Sequence, residues 1–153
     1  MTQKKYIRVC ARALIFDQDH LLCAISHRYN GKIFLPGGGI DVGEDARTSL
    51  ARELQEELHI NAQAGDFVSV IENGWLFEGK NYHEINFLFH VPVHGLNKNQ
   101  TIQSYEEHIS FGWYPVDKLA QIEWLVPEAL KTIVPQWHKD KKAQAFFSNM
   151  NKG

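Results

Sequence analysis

The strongest constraint on this chain is the segment LPGGGIDVGEDARTSLARELQEELHI, residues 35–60, in which three consecutive glycines precede an acidic segment. Because glycine has no Cβ, Gly37, Gly38 and Gly39 predict a sharp backbone turn that can approach a charged ligand closely. Residues 45–58 contain good helix formers and neither glycine nor proline, which predicts a helix over this range. The sequence therefore predicts a glycine loop directly before an α-helix.

This predicted helix has an apolar face and an acidic face. Its apolar face repeats every fourth residue, as expected for a helix that packs on a hydrophobic core, and consists of Leu50, Leu54 and Leu58. The acidic face lies beside it and consists of Glu53, Glu56 and Glu57, which are three and four residues apart. Exposed like charges at this spacing cost only about 0.2–0.5 kcal/mol per pair, so an acidic face alone is compatible with a simple solvated surface.

The spacing of the whole segment favours a functional site over a solvated surface. Gly38 is followed after five residues by Glu44, and after seven more by RELQEELHI, which ends at Ile60. This pattern resembles the Nudix box, the signature G-x5-E-x7-R-E-U-x-E-E-x-G-U of the Nudix hydrolases, in which U is an aliphatic residue. Every charged position of the signature is matched between Gly38 and Ile60.

One position departs from the signature, because His59 stands where the family has its late glycine. Glycine commonly ends a helix in the left-handed conformation, which a residue with a Cβ adopts less readily. We therefore expect His59 to strain or reshape the exit of the helix without removing any carboxylate.

The resemblance implies an α/β fold of the Nudix type, an α/β/α sandwich with a mixed β-sheet. A length of 153 residues fits a single domain with a sizeable core. Apolar alternation and turn residues predict seven strands, the first two paired as a hairpin. These strands are residues 6–16, 21–26, 33–35, 66–72, 74–77, 82–93 and 109–114, with turns at Asn73-Gly74 and at residues 78–81.

Helical segments are predicted after the last strand. The first starts at residues 115–117 and is short, whereas the second has Pro127 in its first turn and is interrupted by Pro135. Residues 139–153 are predicted to form a marginal terminal helix that frays.

Composition and charge exclude several classes of protein. A net charge of −2 and a pI near 6.4 argue against a protein that grips extended nucleic acid. No apolar run approaches the length of a membrane span and no secretion signal is evident, so we expect a cytoplasmic protein without membrane contact. The glycines are not followed by Gly-Lys-Ser/Thr, which excludes a P-loop. Cys10 and Cys23 lack metal-ligand spacing and are expected to be reduced thiols.

The resemblance further implies a site for Mg²⁺ or Mn²⁺, hard cations that prefer oxygen ligands. Its ligands would be Glu53, Glu56 and Glu57, together with the carbonyl oxygen of Gly38. Arg52, four residues before Glu56, would orient the carboxylates through charge-assisted hydrogen bonds.

For the general base, the region before the last strand supplies the leading candidate. Glu107 lies six residues before Trp113, near a place from which a carboxylate often joins the site in Nudix enzymes. Glu106 and Glu84 are alternatives. The catalytic residues of this hypothesis are therefore Glu53, Arg52 and Glu107.

The substrate implied by the resemblance is a nucleoside diphosphate linked to a moiety X, cleaved by attack of water on phosphorus. Trp75 and Leu76 stand where ADP-ribose hydrolases have a proline, which favours a nucleoside triphosphate or a small nucleotide derivative. The alternatives are an ADP-ribose or nucleotide-sugar pyrophosphatase and a nucleotide-binding module without catalysis. The resemblance also allows a homodimer. Candidate substrate-binding residues are Arg28, Gly37, Gly39, Glu44, Trp75 and Tyr82.

Overall fold

The computed structural model describes residues 6–150. Its strands are β1 (Arg8–Leu14), β2 (Phe16–Asp17), β3 (His20–Ser26), β4 (Ile33–Phe34), β5 (Gly37–Gly39), β6 (Phe67–Phe77), β7 (Lys80–His90), β8 (Ile109–Pro115) and β9 (Phe147–Ser148). Its helices are α1 (Ala46–Leu58), a 3₁₀ helix (Val116–Gln121) and α2 (Leu130–Asp140). Within residues 6–150, none of these helices has the length and apolar character needed to cross a membrane.

The strands form two sheets. The first has the order β5-β1-β7-β6-β9, with parallel pairs β1-β7 and β6-β9 and antiparallel pairs elsewhere. In the second, β3 pairs antiparallel with β8 along its whole length and with β2 and β4 at its two ends. The predicted mixed sheet is confirmed.

The two α-helices pack on opposite sides of the sheets. Successive residues of a strand point to opposite faces, so the same strands contribute side chains to both helix-covered cores. The leucine stripe of α1 packs against one set of strand residues, which includes Ala13, Leu22 and Phe89. The buried face of α2 packs against the neighbouring residues on the same strands, which include Leu14, Leu21 and Leu88. The predicted α/β/α sandwich is therefore confirmed.

The bounds of α1 follow from its capping residues. The carboxylate of Asp45 accepts hydrogen bonds from the backbone N–H and the hydroxyl of Thr48, both at 2.9 Å, as expected of an N-cap. At the other end, His59 adopts the left-handed conformation (φ 54°, ψ 37°), and its N–H donates to the carbonyl oxygen of Gln55 at 3.0 Å. His59 thus takes the backbone conformation that the family's glycine would supply.

The predicted N-terminal hairpin is wrong for most of its length. β1 ends at Leu14 and pairs with β5 and β7, and only the two residues of β2 pair with β3. The chain crosses from one sheet to the other at this point: the carbonyl oxygen of Leu14 accepts from the N–H of Val91, and that of Ile15 accepts from the N–H of Leu22, both at 2.9 Å. A partner distant in sequence therefore replaces the expected local one.

The predicted turn at Asn73-Gly74 is also wrong, because β6 continues through both residues and pairs them with Glu84 and His83 of β7. The chain reverses at Glu78 and Gly79, which have positive φ values of 49° and 75°. One turn is enough for a hairpin, and the predicted turn at residues 78–81 is the one that forms.

Neither proline has the predicted role in the second helix. α2 begins at Leu130, beyond Pro127, and continues through Pro135 to Asp140. An internal proline costs about 3 kcal/mol. Side chains that flank Pro135 offset this cost, since burial of each contributes about 1.5–3 kcal/mol; they are Ile133, Val134 and Trp137.

Residues 141–150 do not form the predicted terminal helix. The N–H of Gln144 donates to the carbonyl oxygen of Val68 at 2.8 Å, and β9 then pairs parallel with β6, with Phe147 opposite Ile71. The open edge of β6 supplies hydrogen-bond partners that a frayed helix lacks, and Phe147 packs against the core. Residues 151–153 of the predicted tail lie outside the described residues.

Both cysteines are buried free thiols. Burial raises the pKa of Cys10 and of Cys23. A thiol with a raised pKa is a poor nucleophile, so neither residue has the character of a reactive cysteine.

Candidate active site

The glycines form a strand, and the predicted sharp turn is wrong. β5 pairs antiparallel with β1, and Gly38 lies opposite Ala11. Glycine is needed here for close approach. At Gly37 (φ 132°) a Cβ would collide with the carbonyl oxygen of Ala11, and at Gly38 it would lie 2.6 Å from Cδ of Glu53. The carboxyl group of Glu53 therefore lies directly against the glycine strand.

Glu57 is the most buried carboxyl group of α1. Its exposed fraction is 4%, and its Oε2 accepts a hydrogen bond from the N–H of Gly37 at 3.2 Å. Burial raises the pKa of Glu57 to about 8; the positive charge of Arg12 opposes this shift, and the negative charges of Glu53 and Glu106 add to it. The pKa of Glu53 is also raised, mainly by burial. The protein therefore holds two carboxyl groups where their charged forms are costly.

The raised pKa of Glu57 predicts a pH dependence of stability for the protein in EDTA. As the pH rises above about 4.5, the unfolded chain loses this proton first, so the free energy of unfolding should fall until about pH 8 and then level off. The steepest slope from this one group is about 1.4 kcal/mol per pH unit. Urea unfolding over this range measures it, and Glu57→Gln should lack this component. Equal pH dependence in both proteins would contradict the prediction.

Arg52 ties three carboxylates of the predicted box together. Its Nη2 lies 2.8 Å from Oε1 of Glu44, and its Nη1 lies 3.1 Å from Oε1 of Glu53 and 3.2 Å from Oε1 of Glu56. These contacts have the orienting geometry predicted for Arg52. The hydrogen bonds from Arg52 lower the pKa of Glu44 to about 2.

Glu44 also closes the segment between the glycine strand and α1. Its Oε1 accepts from the N–H of Asp41 at 3.1 Å, while Nη2 of Arg52 donates to the carbonyl oxygen of Gly39 at 3.2 Å. Glu44 and Arg52 together fasten this segment to the helix.

Within residues 6–150, no three His, Cys, Asp or Glu side chains lie close enough together to hold a metal ion as they stand. The carboxylate of Glu56 is paired with Arg52, and the side chain of Glu56 is 52% exposed. The donor set nevertheless fits a hard cation, because Glu53 and Glu57 are oxygen donors whose charged forms are disfavoured mainly by burial and, to a lesser extent, by the charge of a neighbouring glutamate, Glu56 for Glu53 and Glu53 for Glu57. To bind the same cation, Glu56 would have to give up its contact with Arg52.

Two arginines of β1 belong to the site although the sequence hypothesis did not include them. Arg12 donates from Nη1 to the carbonyl oxygen of Gly37 at 3.1 Å, and its Nη2 lies 3.7 Å from Oε1 of Glu84. Nη1 of Arg8 lies 3.2 Å from Oε2 of Glu84. Glu84, an alternative candidate for the general base, is therefore held between two cations. Two arginines four residues apart, and therefore on the same face of an otherwise apolar strand, were the signal that could have identified them.

A cleft of about 1350 Å³ opens from these residues across the first sheet. Eight of the predicted site residues line it: Arg28, Gly37, Gly38, Glu53, Glu57, Trp75, Tyr82 and Glu107. Four predicted residues do not line it: Gly39, Glu44, Arg52 and Glu56.

The lining of the cleft includes aromatic and cationic side chains. The rings of Trp75 and Tyr82 are stacked, with centroids 5.2 Å apart and planes at 7°. Arg28, Lys32 and Lys80 also line the cleft. An anionic ligand with a flat ring would therefore find both charge and stacking surface here.

The two candidate bases on the segment before β8 differ in their surroundings. The side chain of Glu107 is 92% exposed and lies 3.9 Å from Nε2 of His108. The charge of Glu106 acts on Glu57, whose pKa it raises. Both residues line the cleft. Glu106 is thus the one electrostatically coupled to the buried carboxyl group.

Comparison with known proteins shows which proteins this chain is similar to. The human diphosphoinositol polyphosphate phosphohydrolase 3-beta is 25% identical over 128 residues, which are 83% of this chain and 66% of that protein. The rat diphosphoinositol polyphosphate phosphohydrolase 2 is 24% identical over 129 residues, 84% of this chain and 61% of that protein. The chain thus spans slightly less than two thirds of the length of these relatives.

A solved structure and a family model complete the comparison. The MutT protein from Methanosarcina mazei Go1 superposes with a TM-score of 0.67 at 23% identity, over 92% of this chain and 99% of that one, which shows a common fold. The model of the NUDIX domain matches residues 7–136. The chain therefore belongs to the NUDIX domain family.

Proposed function

We propose that this protein hydrolyses the diphosphate bond of a nucleoside diphosphate linked to a moiety X, with Mg²⁺ or Mn²⁺, by attack of water on phosphorus. The observation that carries the proposal is the position of Glu57. Its carboxyl group is 4% exposed, contacts the glycine strand and has a pKa raised to about 8. A buried, perturbed carboxyl group in a large cleft is typical of a functional site.

Glu53, Glu56 and Glu57 would hold the cation, together with the carbonyl oxygen of Gly38. When bound, the cation would neutralise diphosphate charge and lower the pKa of a bound water molecule. Arg52 orients Glu53 through its 3.1 Å contact and keeps Glu44 ionised. Arg12 places a fixed positive charge beside Glu57.

A carboxylate of the segment before β8 would take the proton from the attacking water. Glu107 lines the cleft and is 92% exposed, so it is free to turn towards the substrate. Glu106 is the alternative, since its charge already acts on Glu57. Proton transfer of this kind contributes roughly 10²–10⁴-fold to a rate.

The stacked rings of Trp75 and Tyr82 favour a nucleotide over other diphosphates, because a base offers a flat surface for stacking. We expect a nucleoside triphosphate or a small nucleotide derivative, with ADP-ribose or a nucleotide sugar as the alternative. A second candidate is a diphosphoinositol polyphosphate, the substrate class in the names of the two relatives. Cations that line the cleft favour this more highly charged ligand: Arg28, Lys32 and Lys80.

A substrate panel tests these alternatives directly. The purified protein is incubated with Mg²⁺ or Mn²⁺ and with nucleoside triphosphates, ADP-ribose, a nucleotide sugar and a diphosphoinositol polyphosphate, and released phosphate and pyrophosphate are measured. For a nucleotide substrate, Tyr82→Ala should raise KM several-fold because it removes one stacked ring. For an inositol substrate, Lys80→Ala should raise KM because it removes a cation.

The controls of the panel are EDTA, which should abolish turnover, and Glu123→Gln, a cleft residue outside the box, which should not change it. Binding of a nucleotide without turnover of any substrate would favour the module without catalysis.

A further inference from the structure

His59 occupies a backbone position at which a side chain is disfavoured. Its φ of 54° and ψ of 37° are left-handed values, which glycine adopts without the steric cost of a Cβ. The contacts of the His59 ring therefore bear on why a side chain stands at this position.

The ring of His59 stacks on the ring of Tyr105, with centroids 3.5 Å apart and planes at 10°. The same tyrosine is also held through its backbone, because its N–H donates to the carbonyl oxygen of Glu57 at 2.9 Å. Two contacts of different kinds thus fasten Tyr105 to the C-terminal end of α1.

The segment around Tyr105 is internally ordered by hydrogen bonds. The hydroxyl of Ser104 donates to the carbonyl oxygen of Glu106 at 3.0 Å and accepts from its N–H at 3.3 Å. The hydroxyl of Tyr105 donates to Oε1 of Gln103 at 3.2 Å. Fixing Tyr105 therefore also fixes the backbone of Glu106, which lines the cleft.

We propose that His59 is a positioning residue whose stack on Tyr105 holds Glu106, through its backbone, at the metal-ligand end of α1. This inference rests on the proposed function. His59 itself touches neither substrate nor reacting atoms and acts only through Tyr105. His59, the residue that departs from the Nudix signature, thus supplies a second attachment between α1 and the segment that carries the candidate bases, in addition to the hydrogen bond from the N–H of Tyr105 to Glu57.

Variants that remove either ring test the proposal. His59→Gly keeps the left-handed end of the helix without the ring, and His59→Asn does so with a side chain that tolerates this conformation. Each, like Tyr105→Ala, should lower kcat about tenfold, because misplacement of a catalytic group by about 1 Å can cost up to 10²-fold. KM should stay within about twofold. Tyr105→Phe retains the stack and should keep kcat near the wild-type value.

Two further measurements separate positioning from a general loss of structure. The double variant His59→Gly/Tyr105→Ala should be no slower than either single variant, because all three remove the same contact. Hydrogen exchange at the N–H of Tyr105 should accelerate in His59→Gly and His59→Asn, while exchange in β6 and β7 stays unchanged.

The outcomes are distinguishable from failure of the proposed function. A wild-type protein that turns over, with unchanged kcat in His59→Gly, His59→Asn and Tyr105→Ala, would show that the positioning role is wrong while the function stands. Multiplicative losses in the double variant would also overturn the role of the stack. A wild-type protein without turnover on the whole panel would overturn the proposed function and the positioning role together.

Discussion

Replacing Glu57 by glutamine is expected to lower metal-dependent kcat by about 10²–10³-fold, because the amide removes the charge that the proposed cation site requires. The fold should be retained. Glutamine has the same shape as the neutral carboxyl group, and its side-chain oxygen can still accept from the N–H of Gly37, as Oε2 of Glu57 does at 3.2 Å. Steady-state kinetics with Mg²⁺ and with Mn²⁺ measure the loss.

The same variant should also lose stabilisation by the metal. A cation that binds only the folded protein raises the free energy of unfolding in proportion to the logarithm of its concentration. We therefore expect the Tm of the wild type to rise with added Mg²⁺ or Mn²⁺ and that of Glu57→Gln to rise much less. Glu123→Gln is the matched control. Full activity of Glu57→Gln would contradict the assignment of Glu57 as a metal ligand.

The largest expected loss of stability is that of Gly37→Ala, about 3 kcal/mol or more. The new Cβ would meet the carbonyl oxygen of Ala11, and the φ of 132° is a value that residues with side chains rarely adopt. Because Ala11 lies on the neighbouring strand β1, relief requires that β5 move away from the sheet.

Gly43→Ala is the control for Gly37→Ala. Gly43 also has a positive φ, of 90°, but a Cβ at this position would have open space around it, with no neighbouring atom within 4 Å. The substitution should cost only the conformational strain, about 1–2 kcal/mol. Urea unfolding of both variants separates strain from collision. Equal losses in the two proteins would mean that the contact with Ala11 is not the reason for glycine at position 37.

The sequence predicted the helix of the site and its faces well, because these depend on local spacing. The leucine stripe of α1 is buried, and Glu53 and Glu57 point into the cleft, as a period of 3.6 residues requires. The match to the signature also predicted the family, which the comparison confirms.

Strand pairing and segment boundaries were harder to predict, because they depend on partners distant in sequence. β1 pairs with β7 rather than with the adjacent β3, and the tail after α2 pairs with β6 rather than forming a helix. In each case the local pattern permits several partners. The choice follows from which edge is available once the sheets and their cores have formed.

The sequence by itself determined the acidic helix, the glycines before it and the family to which the chain belongs, since each is written in local order and spacing. Only the tertiary structure decided that the glycines form a strand beneath Glu53, that Arg8 and Arg12 enclose Glu84, and that His59 stacks on Tyr105. These contacts join residues that are distant along the chain. Their proximity arises from burial of the two cores on either side of the sheets, which no local pattern specifies.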